Sequence, residues 1–336
     1  MQARRWIGID VGGANLKFAD CDGWTHAEAF PLWKHPEKLS DRLRRILPIK
    51  HPNLAYALTM TGELADCFDD RAAGVVAIID SVVEAIGCES LLRVYGLGGH
   101  WFRPGEGSAR WNDIAAANWF AMGAYATRLL QESERGVLID IGSTTTDVIA
   151  LARGGVQTAS RSDFDRLRTS ELLYFGVGRT PLCAIAARLP FRGDMVPVMA
   201  EWFATTDDCR LVLGLVEESP SDVETADGKP RTVQHSIRRL ARTIGLDHSM
   251  FGLEDAKRIA RWVERELKQR LATAIGQVAP DADRWVISGH GSWLVPESIS
   301  DGCPASKTFL CDAWSDQQAR VGPAFALAVL ATERFG

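Results

Sequence analysis

One pattern occurs twice in this chain and limits what it can fold into. The first copy is Trp6-Ile-Gly-Ile-Asp-Val-Gly-Gly-Ala-Asn-Leu-Lys-Phe-Ala-Asp20. The second is Val137-Leu-Ile-Asp-Ile-Gly-Ser-Thr-Thr-Thr-Asp-Val-Ile-Ala-Leu151. Each opens on a short apolar run, the mark of a buried strand. Glycine then permits a tight turn and lets backbone N–H groups approach a ligand closely. Alternating residues resume after the first turn, so a hairpin is expected rather than a strand followed by a helix, and the second copy has the same plan. Superposing the copies places Asp140 on Asp10, Gly142 on Gly12, and Asp147 on Lys17. Ser143, Thr144 and Thr145 fall on Gly13, Ala14 and Asn15. Such self-similarity points to two related halves facing each other across a cleft.

The hairpin form excludes two other phosphate designs. A P-loop needs Gly-x-x-x-x-Gly-Lys-Ser/Thr opening a helix, and a dinucleotide fold needs Gly-x-Gly-x-x-Gly opening a helix. A glycine hairpin instead aims successive amides at an anion and forms a nest. The expected phosphate-binding residues are Gly12, Gly13, Ala14 and Asn15 on one side, and Gly142, Ser143, Thr144 and Thr145 on the other. Arg179, beside the Gly176-Val-Gly178 turn, is a further anion contact. Asp10 and Asp140 end their strands and are the expected holders of a hydrated Mg²⁺. Lys17 is expected to neutralise a phosphate oxygen, and Asp147 to complete the catalytic group. The plain alternative for each aspartate is turn capping.

The two motifs resemble the phosphate motifs of the actin, sugar-kinase and Hsp70-like ATPase superfamily, and within it most those of the hydantoinase/oxoprolinase branch. The resemblance implies an α/β fold of two RNase H-like domains with a central cleft. The expected domains are 1–134 and 135–318, with a helix at 319–336 packing back on the first. Further stretches tighten the match: Thr59-Met-Thr-Gly-Glu-Leu-Ala-Asp66, Ala116-Ala-Asn-Trp119, Gly178-Arg-Thr-Pro181, Ala204-Thr-Thr-Asp-Asp208 and Thr225-Ala-Asp-Gly-Lys-Pro-Arg231. Over nearly the whole chain these resemble proteins of the tetrahydromethanopterin-linked one-carbon pathway and their archaeal methanofuran-biosynthesis relatives. The implied activity is a transferase. It joins a furfuryl-amine diphosphate to the phenol of γ-glutamyltyramine through an aryl ether and releases diphosphate.

Two rival readings share the same cradle. One is an ATP-dependent small-molecule kinase or amide-activating enzyme. The other is a nucleotide-gated regulatory protein with little turnover. Ser288-Gly-His-Gly291 departs from the Gly-Gly turn that backs the nucleoside in the superfamily, which fits a cradle holding a diphosphate alone. Mg²⁺ is therefore the expected cofactor, with ATP belonging to the rivals.

With 336 residues, 46% hydrophobic and 24% charged, the chain can bury two ordinary cores. Its net charge of −5 gives no general attraction to nucleic acid or anionic membrane, so local basic groups must hold any phosphate. The expected partners are a small-molecule diphosphate and a phenolic amine. No apolar run is long enough to span a bilayer, and no leader precedes the first strand, so a cytoplasmic protein is expected. The seven cysteines include no Cys-x-x-Cys, which speaks for reduced thiols over a zinc site.

Beyond the hairpins, strands are expected at 54–60, 91–95, 285–288 and 308–311. Helices are expected at 36–49, 74–86, 112–130, 200–214, 234–244, 253–275 and 319–334, with loops at 101–110 and 219–232. Glu63, Asp66, Asp69 and Asp70 follow a strand; they could meet a substrate ammonium or a second metal, or simply form a solvated helix start. Asp207 and Asp208 carry the same choice. Asn118 and Trp119 are candidate substrate contacts. Trp119, with Trp101 and Trp111, could stack on an aromatic substrate or serve the core. His100 and His290 follow glycine turns and are candidate acids or bases, or plain loop histidines.

Overall fold

The first apolar run becomes β1 (Arg5–Val11), buried from Trp6 onward. The computed structural model describes residues 4–48, 53–295 and 306–336. In it β1 is followed by β2 (Asn15–Asp20), β3 (Thr25–Ala29), β4 (Leu54–Met60), β5 (Leu92–Tyr95) and β6 (Trp101–Phe102). Across the sheet the order is β3-β2-β1-β4-β5-β6. β2 returns antiparallel to β1, whereas β4 and β5 add in parallel. Parallel neighbours need crossovers, which the helices Leu39–Ile46 and Arg71–Ile86 supply. β4 is buried at every position, as a strand covered on both faces must be.

The second half repeats the plan. Its strands are β7 (Arg135–Ile141), β8 (Thr146–Ala152), β9 (Gly155–Val156), β10 (Leu172–Leu173), β11 (Arg188–Phe191), β12 (Asp194–Pro197), β13 (Arg284–Ser288) and β14 (Ser306–Phe309). The sheet order is β10-β8-β7-β13-β14, with β9 on β8 and with β11–β12 as a separate hairpin. The run β8-β7-β13-β14 matches β2-β1-β4-β5 in order and direction. A hairpin extended by parallel strands through helical crossovers is the RNase H-like plan. The fold is α/β, with two such domains.

Between the sheets lies a shared apolar layer. Trp6 and Ala57 from the first sheet meet Leu138, Ile149 and Val286 from the second through the helices Asn118–Ala126 and Gly322–Phe335. The last helix runs over β1, β2 and β4. It comes so close that a Cβ on Gly8 would fall inside the Ala324 carbonyl.

Several expected elements differ. The 112–130 stretch is not one helix but Trp111–Ile114, Asn118–Ala126 and a 3-10 turn at Thr127–Leu129. Alanines favour a continuous helix, yet Ala116 sits at φ 49°. Tertiary contact explains the break. The first piece is held against the end of β5, where a Cβ on Gly96 would lie 2.6 Å from the Asp113 carbonyl oxygen. The second piece turns into the layer between the sheets. The 200–214 helix begins only at Thr206, because Thr205 and Asp208 form a capping box there. Loop 101–110 contains β6, and the short helix Asp163–Arg168 and the β11–β12 hairpin were not foreseen. The expected 36–49 helix is a 3-10 turn at Pro36–Lys38 followed by the helix Leu39–Ile46, and the chain turns extended at Leu47; residue 49 and Cys303 lie outside the described residues. No helix of the described residues is long and apolar enough to cross a membrane.

Candidate active site

Strand register decides which side chains meet. Asp10 pairs with Lys17 across the first hairpin, and Asp140 pairs with Asp147 across the second. Their parallel neighbours are Thr59 and Ser288. Both turns close with the same bond: the Gly12 amide donates to the Asn15 carbonyl and the Gly142 amide to the Thr145 carbonyl, each at 2.9 Å.

The turn carbonyls are tied down from behind in both copies. The Leu32 and Phe30 amides donate to the carbonyls of Gly13 and Ala14 at 3.0 and 2.9 Å. The Val177 amide donates to Gly142, and the Gly178 and Arg179 amides to Ser143, at 3.0, 3.0 and 2.8 Å. The amides of Gly13, Ala14, Ser143 and Thr144 have no acceptor among the described residues. Such a row of free N–H groups, with its carbonyls held aside, is what an anion nest requires. Gly176 makes the second one possible, since a Cβ there would lie 2.5 Å from the Gly142 carbonyl oxygen and the Thr144 nitrogen. Gly289, at φ 85°, does the same for Asp140, whose Oδ1 a Cβ would approach to 2.7 Å.

The two hairpins face each other. Lys17 Nζ lies 3.4 Å from Asp10 Oδ2, and its charge reaches Asp140 and Asp147 of the other half. Burial, then the charge of Asp147, pushes the Asp140 carboxyl up to about 6 against the pull of Lys17. Burial likewise raises Asp10 and Asp147, opposed by Lys17 and Arg166 respectively. Asp10 Oδ1 is buried with no partner. Three raised carboxylates and an orphaned oxygen make a site whose chemistry suits a further cation beside Lys17. Among the described residues no three His, Cys, Asp or Glu side chains are arranged to cage a metal. Mg²⁺ needs no cage, since it keeps several waters and takes one or two carboxylates plus phosphate oxygens. Asp10 and Asp140 fit that kind of ion.

The titration of Asp140 has a definite sign. Its folded pKa of about 6 stands above the ordinary 3.8, so between those values the folded state binds more protons than the unfolded. This group's contribution to stability therefore falls as pH rises through about 6 and recovers below it. Thermal melts of metal-free protein at pH 7 and pH 5 check this: Asp140→Asn is expected to remove part of the gain seen at the lower pH. An unchanged gain would place the titration elsewhere.

The other sequence candidates divide sharply. Arg179 stands at the second turn, its Nε donating to Thr144 Oγ1 at 2.9 Å. Of the acidic quartet only Glu63 is buried, at 1% exposure. Asp66 and Asp69 are exposed, and Asp70 caps the helix Arg71–Ile86 through the Ala73 amide. The quartet is thus not one binding group. Trp119 is 3% exposed, and the Arg166 guanidinium covers its ring at 4.2 Å, so it has no open face for a substrate. Asn118 Oδ1 accepts from the Trp119 amide at 2.7 Å, at the start of that helix. Trp101 packs on Tyr95 and Phe335. Asp208 is a structural ion pair with Arg239 at 2.7 Å, and Asp207 pins the 219–232 loop through Arg231. His100 is exposed at the turn after β5. His290 stands at the surface after β13, and burial of part of its ring, then the charges of Arg210, Arg320 and Lys17, lower its pKa.

Arg166 is the residue that sequence reasoning missed. Its guanidinium is buried, donates to Asp147, and lies 3.4 Å from Asp163. Ser162 accepts from the Asp165 amide, a helix-start signature that was open to view in the sequence. The target of Arg166, nineteen residues back, was not.

Comparison with known proteins places the chain in a family. A family model described as Hydantoinase/oxoprolinase matches residues 55–309. The chain is 31% identical over 301 residues to the (4-{4-[2-(gamma-L-glutamylamino)ethyl]phenoxymethyl}furan-2-yl)methanamine synthase of Methanocaldococcus jannaschii, covering 88% of each chain. It is 30% identical over 167 residues to the protein of that name from Methanococcus vannielii, covering 49% of this chain and 75% of that one. Among solved structures, nucleotide-free acetone carboxylase has a TM-score of 0.49 and 11% identity, over 90% of this chain and 67% of that one. That likeness is distant, and the fold follows from the strand order itself.

Proposed function

We propose that this chain, which belongs to the hydantoinase/oxoprolinase family, is a synthase of methanofuran-type cofactor assembly. In this reading it joins the phenol of γ-glutamyltyramine, or a related acceptor, to the methylene carbon of an (aminomethyl)furan-methyl diphosphate and releases diphosphate. The name of the two relatives describes a phenoxymethyl-furan product, which is that ether. The name does not identify the leaving group. The observation that supports a diphosphate is the pair of free-amide turns facing each other around Lys17.

A furan-CH₂–diphosphate can ionise to a resonance-stabilised cation if the departing charge is held. The turn amides, Lys17 and Arg179 would hold it, in a site where fixed dipoles act strongly. Mg²⁺ on Asp10 and Asp140, when bound, would supply further positive charge at the phosphate oxygens. A second reading, an ATP-hydrolysing or ATP-dependent kinase reaction, would use the same turn amides and Lys17.

Thermal unfolding with Mg²⁺ separates the two. Pyrophosphate is expected to raise the melting temperature, and ATP to leave it nearly unchanged. Protection by ATP without protection by pyrophosphate would overturn the synthase reading in favour of the kinase.

A further inference from the structure

We propose that Glu63 is the base that takes the phenolic proton as the ether forms, a role that rests on the reaction proposed above. Its place is set by the first phosphate turn. The Gly62 amide donates to the Val11 carbonyl at 3.0 Å, and a Cβ on Gly62 would lie 3.2 Å from the Gly12 carbonyl carbon. Glu63 therefore begins one residue from contact with that turn. Its Oε1 accepts from Arg71 Nη2 at 3.1 Å, while Oε2 is buried with no partner. Glu63 thus sits next to the first turn, with one oxygen oriented by Arg71 and the other unpartnered.

Burial, with a contribution from Asp163, holds the Glu63 carboxyl above the ordinary range against the pull of Arg71. A carboxylate so placed accepts a proton more readily than a solvated one. The other carboxylates near the turns stand at the phosphate cradle itself. Asp10 pairs with Lys17 and Asp147 with Arg166, and Asp140 stands at the second turn beside Ser288. Those three lie where departing negative charge must be held. Glu63 follows the residue that contacts the first turn, and beyond its pairing with Arg71 it keeps one unpartnered oxygen.

The step balances without an oxidant or reductant. The bond between the furan methylene carbon and the diphosphate oxygen breaks, and its electron pair leaves with diphosphate. A lone pair of the phenol oxygen forms the new C–O bond, and the phenolic proton passes to Glu63 Oε2. Arg71 then steadies the carboxylate once the proton is shed to solvent.

The test uses the full chain with Mg²⁺, the furan-methyl diphosphate, and tyramine-type acceptors whose phenols are made progressively more acidic by ring fluorination. With the unsubstituted phenol, Glu63→Gln is expected to lower kcat about 10²–10⁴-fold. The loss should shrink as the phenol becomes more acidic, because a preformed phenolate needs no base. Glu63→Asp should retain part of the activity, and both variants should keep the wild-type thermal shift with pyrophosphate, which shows that they fold. An equal loss for every phenol would overturn the assignment. So would a loss confined to KM for the amine-bearing furan, which would make Glu63 an ammonium contact. If the wild-type protein makes no ether with any acceptor, the proposed function itself falls, and this role with it.

Discussion

Lys17→Met is expected to lower turnover about 10²–10³-fold, the scale for removing one preorganised charge from a leaving-group site, and to abolish most binding of pyrophosphate. Lys17 stands in register with Asp10, 3.4 Å from its carboxylate, and its charge reaches Asp140, Asp147 and His290. No other lysine among the described residues is placed at either turn. Its loss acts twice. The departing diphosphate loses a counter-charge, and the carboxylates lose the cation that favours their ionised forms. Asp140, already raised to about 6, should titrate higher still, so that the site carries more protons at neutral pH. Calorimetric titration with pyrophosphate and measurement of kcat would check both effects. Lys17→Arg keeps the charge and should retain part of each. Wild-type affinity for pyrophosphate in Lys17→Met would end the case for a phosphate cradle between the hairpins.

Arg166→Leu is expected to destabilise the fold by about 3 kcal/mol, the lower end for breaking a buried ion pair from one side. The guanidinium is 3% exposed and Asp147 18%, so solvent offers little compensation. Without Arg166, Asp147 stands beside Asp140 with no cation of its own, and the Trp119 ring loses the group that covers it. The carboxylate that remains, rather than the lost hydrogen bond, carries most of the penalty. Asp147→Asn in the Arg166→Leu background should therefore recover a large share of the stability. Urea denaturation of the two single variants and the double variant measures this. Equal stability of Arg166→Leu and wild type would show that the pair does not hold the second hairpin to the inter-sheet layer.

The two hairpins were legible because their determinants are close in sequence. Alternating apolar residues and glycine turns dictate β1–β2 and β7–β8, and the turn length dictates that Asp10 faces Lys17 and Asp140 faces Asp147. The 112–130 stretch was misread because alanine propensity is a weak local preference, overridden where Gly96 meets Asp113. The acidic run after β4 left two readings open, and for three of its members the solvated helix start holds. Its four members look alike along the chain, but only Glu63 is folded inward, and Asp70 is used as a cap.

The amino-acid order by itself determined the duplicated plan and the pair of amide-lined turns, which follow from contacts within each hairpin and the hydrophobic pattern around it. Tertiary structure alone decided the company those turns keep. That Trp119 carries Arg166, that Arg166 answers Asp147, and that Asp140 is pushed up to about 6 depend on side chains brought together from distant parts of the chain. Burial and electric fields act through space, and a local stretch of residues holds no record of what will be folded against it.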